Sequence, residues 1–130
     1  RLVGDIDAEL ARYPLDPDTF VAVITRGHRH DASALSAVIR RPHRYVGLIG
    51  SKRKIKAIFD EIHRTGISPE RLSRVHGPIG LDIGAETVPE IAMSIAAELV
   101  AVRRGREDRA AAPMKMPPDE VAHWLSRPPQ

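Results

Sequence analysis

Two short loops in this sequence carry residue types that bind anions. One is Arg26-Gly27-His28-Arg29-His30-Asp31, and the other is Gly50-Ser51-Lys52-Arg53. Each follows a short apolar run and precedes a stretch with helical periodicity. At such a junction the first N–H groups of the helix lack intrahelical acceptors, and the helix dipole adds positive potential, so a negative group is favoured there. Gly50 admits a ligand close to the main chain, Ser51 supplies a hydroxyl, and Lys52 and Arg53 supply charge. The plainer reading of Ser51 is a helix N-cap, and a strand-Gly-Ser-helix junction is too common to decide between the two. His28 and His30 stand two apart, a spacing that can offer two imidazoles to one metal ion. A third ligand would have to be Asp31, His76, Asp82 or Glu86, and spacing brings none of these to the pair. The alternative is that the histidines line a polar pocket or face water, with Asp31 capping the helix that follows.

A third stretch, residues 75–84, holds three glycines and a proline, and Glu86 and Thr87 follow it. Gly80 and Gly84 let the backbone approach a planar ligand, with Asp82 between them and Glu86 and Thr87 beside it. The competing reading is a long connection into a helix capped by Thr87 and Glu90.

These loops need elements to hold them. Residues 5–13 read as a short helix with Ile6 and Leu10 on one face. Pro14, Asp16, Pro17 and Asp18 mark a turn. Residues 20–25 (FVAVIT) and 45–49 (YVGLI) are short, apolar and rich in β-branched residues, as suits parallel strands covered on both faces. A helix from Asp31 to Arg40 would turn Leu35, Val38 and Ile39 to the sheet, and Pro42 would stop it. Ile55, Ile58, Phe59 and Ile62 recur at helical spacing after Lys52, and Gly66 suits the end of that helix. Ser68-Pro69 opens a short helix over 70–74. Ile91, Ile95, Leu99 and Val102 form an apolar stripe on a longer helix, and Ala92, Ala96 and Ala97 would let it approach a sheet closely. From residue 106 the chain turns charged, alanine-rich and then proline-rich, which predicts a mobile tail with a short helix over 119–126 that docks Trp124 on the domain or on a partner.

Two successive strand–helix units imply a right-handed crossover and a parallel sheet. The predicted fold class is therefore α/β, a Rossmann-like open parallel sheet flanked by helices. Two strands are too few for such a sheet, so the expectation is a partial domain whose first half comes from upstream chain or another protomer. Arg at position 1 agrees with a fragment. The expected division is a partial domain over 1–105 and a Pro-rich tail over 106–130.

Several classes are excluded or disfavoured by composition. There is no cysteine, hence no disulfide and no thiolate metal site. No apolar run is long enough for a membrane span and no secretion signal opens the chain, so the cytoplasm is the expected location. The formal charge is +3, with basic clusters at 26–29, 40–44, 52–56 and 103–109. Aromatic residues are not interleaved among them, which disfavours single-stranded nucleic acid. No catalytic serine triad, nucleophile elbow, Walker A loop or GxGxxG fingerprint is present.

Three segments together resemble the carboxyl-terminal Rossmann-like domain of the XdhC/CoxI family: VAVITRGHRHD (21–31), YVGLIGSKRK (45–54) and VHGPIGLDIGAETVPEIAMSIAAELVAVRRG (75–105). The last is the most specific, since PIGLDIGAET before an Ala-rich helix is not a generic α/β feature. The resemblance implies an accessory protein without turnover of its own, a chaperone in the maturation of xanthine dehydrogenase, carbon monoxide dehydrogenase and related molybdenum hydroxylases. It implies a molybdenum cofactor, as molybdopterin or its nucleotide form, bound as cargo in its sulfurated state and passed to the apoenzyme. A cysteine desulfurase, and a homodimer or partner subunit, are the further partners it suggests. Arg26, Gly27, His28, His30, Asp31, Gly50, Ser51, Lys52, Arg53, Gly80, Asp82, Gly84, Glu86 and Thr87 would then line one crevice around that cargo. The Gly-rich unit that opens the family's domain, and its Cys-containing amino-terminal domain, have no counterpart in these 130 residues. The alternatives are a fragment of an NAD(P)-binding oxidoreductase and a truncated remnant without function.

Overall fold

The computed structural model describes residues 3–110 and 114–126, except for the side chain of Trp124. Its elements run α1 (Ile6–Arg12), β1 (Phe20–Val23), α2 (His28–Ile39), β2 (Tyr45–Leu48), α3 (Lys52–Arg64), α4 (Pro69–Leu72), α5 (Val88–Arg103), a 3-10 turn (Glu107–Arg109) and α6 (Pro118–Leu125). β1 and β2 pair in parallel with Phe20 opposite Tyr45 and Val23 opposite Leu48. A third position joins at the far side of β2, where His76 bridges Gly47 in parallel. His76 N–H donates to Val46 O at 2.9 Å, and Leu48 N–H donates to His76 O at 2.9 Å. The α/β class and its parallel sheet are as the apolar runs predicted.

Successive strand residues point to opposite faces, and the two faces differ. Val21, Val23, Val46 and Leu48 face α2 and α3 and join a core with Leu35, Val38, Ile55, Ile58 and Ile62. Phe20, Tyr45 and Ile49 face the other way, toward Ile79, Ile95, Leu99 and Val102. β2 is therefore buried at all four positions. β1 is not. Ala22 is exposed and Ile24 is 59% exposed, because the α5 cluster covers Phe20 and β2 and leaves the rest of that face of the first strand bare. The expectation of a β1 covered on both faces is corrected accordingly. The alanines of α5 are corrected too: Ala92, Ala96 and Ala97 are exposed, as are Met93 and Val100. The helix meets the sheet through Ile95, Leu99 and Val102, Ile91 lies at the cavity wall, and the alanine side looks outward.

Local signals set the helix ends. Ser51 Oγ accepts from Lys54 N–H and Ser68 Oγ from Arg71 N–H, as N-caps do. Thr87 and Glu90 form a full capping box. At α2 the cap differs from expectation. Gly27 is the N-cap, the helix begins at His28, and Asp31 lies within its first turn. The docking expected of Trp124 concerns a side chain outside the described residues. Among the described residues no helix is long and apolar enough to cross a membrane.

Candidate functional site

In a parallel sheet every strand points its carboxyl end the same way, so the loops after β1 and β2 emerge side by side. Gly27 and Gly50 thus share one end of the sheet, and two contacts tie the first turn of α2 to α3. Lys54, in the first turn of α3, places its ammonium against Asp31 Oδ2. Asp31 is fully buried, and its other oxygen lies 2.5 Å from the Thr25 hydroxyl. His28 Nε2 meets Glu61 Oε2 at 3.0 Å. Asp31 is a buried anchor between the two loops, and the sequence reading missed Lys54 as its partner. No side chain in the described residues gives Asp31 Oδ2 a well-aligned hydrogen bond, so the nearby positive charge is its compensation.

Beside this anchor lies a cavity of about 530 Å³ at the carboxyl end of β2. Five of the residues singled out in the sequence line it: Gly50, Lys52, Gly80, Asp82 and Gly84. The glycines have φ of 144°, 99° and 71°, all in the region that favours glycine. A Cβ on Gly84 would meet open space, so the main chain there is bare toward the cavity. Ile49, Ile79 and Ile91 supply apolar wall, and Ser94 a hydroxyl. The Lys52 and Arg53 N–H groups, in the first turn of α3, have no intrahelical acceptor, and the Ser51 cap serves Lys54 N–H instead. The arrangement offers a flat apolar and peptide surface next to an anion-favouring corner.

The remaining sequence candidates are placed elsewhere. Ser51 is the α3 cap, and Arg53 is exposed outside the cavity lining. Thr87 and Glu86 are occupied by capping: Glu90 Oε2 accepts from both of their N–H groups at 2.8 Å. Those two bonds hold the Glu90 carboxyl below the ordinary range of a glutamate. Arg26, on the loop after β1, and His28 and His30, in the first turn of α2, are exposed and do not line the cavity. No group of three or more potential metal ligands forms among the described residues.

A polar cluster that sequence reasoning did not find braces the back of the cavity. Tyr45, 1% exposed, donates its hydroxyl to Glu98 Oε1 at 2.6 Å. Gly80 N–H donates to the same oxygen at 3.1 Å, and His76 Nδ1 stands 3.3 Å from the other. The Tyr45 and His76 rings lie 4.6 Å apart. One carboxylate therefore links β2, the glycine-rich segment and α5. A signal was present: Ser94 and Glu98 follow Ile91 at i+3 and i+7, putting polar groups on the inward side of an apolar stripe. Burial pushes the Tyr45 phenol well above its ordinary value of 10, and the hydrogen bond and negative charge of Glu98 push it further. Folding thus favours the protonated phenol. Its contribution to stability is full below about pH 10 and is lost as the pH climbs above that value. Comparing ultraviolet titrations of the native chain and a Tyr45→Phe variant should show that Tyr45 forms phenolate only when alkali unfolds the chain. Phenolate from Tyr45 in the folded chain near pH 10 would contradict the burial argument.

Comparison with known proteins follows the same lines. Residues 3–99 match the family model described as the XdhC Rossmann domain. An uncharacterized protein, YqeB, of Escherichia coli is 38% identical over 67% of this chain and 16% of its own length. A probable xanthine dehydrogenase subunit of Bacillus subtilis is 30% identical over 73% of this chain and 27% of its own. The molybdenum cofactor insertion chaperone PaoD of Escherichia coli is 26% identical over 85% of this chain and 35% of its own. The chain thus spans at most about a third of the length of these curated relatives. A crystal structure described as a xanthine dehydrogenase from Bacillus halodurans superposes with a TM-score of 0.67 at 27% identity, covering 85% of this chain and 31% of that one. With the family model spanning residues 3–99 and the parallel α/β fold in agreement, this chain belongs to the XdhC Rossmann-domain family.

Proposed function

We propose that this chain is the cargo-holding domain of a maturation factor for molybdenum hydroxylases, an accessory protein with no turnover of its own. Family membership supports the class, and the name of the relative PaoD, a molybdenum cofactor insertion chaperone, supports the cargo. The observation that carries the reading is the cavity at the carboxyl end of β2, with its glycine main chain, apolar wall and Lys52 beside the α3 amino terminus. Its materials suit molybdopterin in kind. A planar pterin gains from contact with isoleucine side chains and bare peptide. A phosphate gains from unpaired N–H groups and nearby lysine and arginine. In this reading Gly50, Lys52, Gly80, Asp82 and Gly84 contact the cargo directly. Ser51 and Arg53 shape and charge the phosphate corner, and Glu86 and Thr87 fix the start of α5. Arg26, Gly27, His28 and His30 form the neighbouring rim, and the buried Asp31 holds it in place. The cofactor is held in its sulfurated form, with sulfur supplied by a cysteine desulfurase, and passes to the apoenzyme in the cytoplasm.

The test is binding of molybdopterin by the purified chain, followed by fluorescence. Lys52→Ala/Arg53→Ala should weaken affinity about tenfold at low salt, the loss expected for removing charged partners of a phosphate, and the difference should shrink as salt is raised. Equal affinity of variant and native chain at low salt would remove the phosphate corner from the proposal. Preference for NADH over molybdopterin would replace the cargo reading with a dinucleotide one.

A further inference from the structure

A second concavity, of about 320 Å³, opens at the opposite end of the sheet. Its walls come from the α2–β2 connection and from the segment that leads from α4 to His76. Both segments run into the amino ends of their sheet positions, so this concavity and the one beside Gly50 lie at opposite ends of the strands. Arg41, Arg44, Arg71 and Arg74 line it together with His43, and no aspartate or glutamate does.

The four arginines fall into two pairs. Arg41 and Arg44 are tethered, but mostly to carbonyl oxygens rather than to carboxylates. Arg41 donates to Leu10 O and Tyr13 O. Arg44 donates to Val102 O at 3.3 Å and Arg103 O at 3.1 Å, and its nearest carboxylate is the exposed Asp18 at 3.9 Å. Such tethers fix the positions of the guanidinium groups and leave their charge largely uncompensated. Arg71 and Arg74 are exposed, three residues apart, and no side-chain hydrogen bond or ion pair of theirs is present among the described residues. His43 Nδ1 lies 2.8 Å from Arg41 O and donates to that carbonyl, which leaves Nε2 toward other partners.

The geometry points to a binding site for a small phosphate-bearing ligand, of the phosphomonoester or diphosphate class, held by this arginine cluster. Two fixed charges provide a standing positive field, and two free guanidinium forks are available for bidentate contact with phosphate oxygens. Crowding four like charges around one hollow without a carboxylate is unfavourable by itself, and a bound polyanion relieves it. The hollow is concave and its lining carries no Phe, Tyr or Trp ring for base stacking, which favours a compact ligand over a nucleic acid strand. This site is independent of the molybdopterin cavity and stands or falls without it.

Inorganic pyrophosphate is the probe, titrated into the full chain and followed by amide NMR shifts. The expected result is saturable shifts at residues 41–44 and 71–75. Arg71→Ala/Arg74→Ala should weaken binding about tenfold, as loss of two charge-assisted partners predicts. Arg71→Lys/Arg74→Lys should retain part of the affinity, because charge remains while the fork is lost. Both arginines are exposed, so these variants keep the fold. Lys52→Ala/Arg53→Ala should abolish any shifts at 50–53, which report the separate corner beside Lys52, and the shifts at 41–44 and 71–75 should persist. The proposal is overturned by an absence of saturable shifts, by unchanged affinity in the alanine variant, by shifts confined to 50–53, or by a duplex oligonucleotide that binds more tightly than pyrophosphate.

Discussion

Lys54→Met should lower the unfolding free energy by about 3 kcal/mol, the low end of what is lost when one partner of a buried ion pair is removed. The low end applies because the Lys54 side chain is 27% exposed and water screens part of the attraction. Methionine keeps most of the aliphatic stem, so little of the loss comes from packing. What remains is the Asp31 carboxylate, fully buried, with the Thr25 hydroxyl as its one side-chain hydrogen-bond donor among the described residues. The decisive comparison is a double variant. Asp31→Leu/Lys54→Met should recover much of the stability lost by Lys54→Met, since a charge-free interior often matches a paired one. Denaturant unfolding of the three proteins measures both effects. Additive losses in the double variant would show that the pair is not the tie between the two loops.

Gly80→Ala should be about equally damaging, at about 3 kcal/mol, from two causes that can be separated. The backbone there has φ of 99°, which an alanine adopts at a cost on the order of 1–3 kcal/mol. A Cβ would also collide with Ser94 Oγ and come within 3.3 Å of Ile95 N, which is main chain and cannot swing aside. Overpacking of this kind adds about 1–3 kcal/mol. Gly84→Ala is the internal control, because its φ is 71° but its Cβ would meet nothing within 4 Å. It should therefore show the backbone cost alone. Because Gly80 N–H also donates to Glu98, the alanine at 80 should disturb the Tyr45 environment, visible in near-ultraviolet dichroism. Equal stability losses for the two alanines would mean that close packing of the glycine-rich segment on α5 is not what requires Gly80.

The residues that revealed the fold were those whose pattern is local. FVAVIT and YVGLI gave the strands, and the isoleucines at 55, 58 and 62 gave α3 with its buried face. Ser51, Ser68 and Thr87 marked three helix starts because a cap bonds to an N–H two or three residues on. Asp31 was misjudged because its partner is Lys54, twenty-three residues away in sequence and adjacent only once the two loops share one end of the sheet. Glu98 was missed for the same reason, with Tyr45, His76 and Gly80 all distant along the chain. The alanines of α5 were misassigned because small size allows close approach without requiring it. Of the site, the glycines and Lys52 were legible from type alone. The apolar wall was not, since isoleucine signals burial without saying against what.

The two sides of the sheet hold their helices by unlike means. α2 and α3 contribute interlocked aliphatic side chains, whereas α5 packs Ile95, Leu99 and Val102 on a smaller apolar cluster and adds polar links from Glu98 to Tyr45 and Gly80. The cluster under α5 holds fewer buried apolar side chains than the one under α2 and α3. Separation of α5 from the β-layer is therefore a lower-energy event than loss of the β1–α2–β2–α3 half. Because α5 supplies Ile91 and Ser94 to the cavity, the hollow beside Gly50 can be laid bare while most of the molecule keeps its native order.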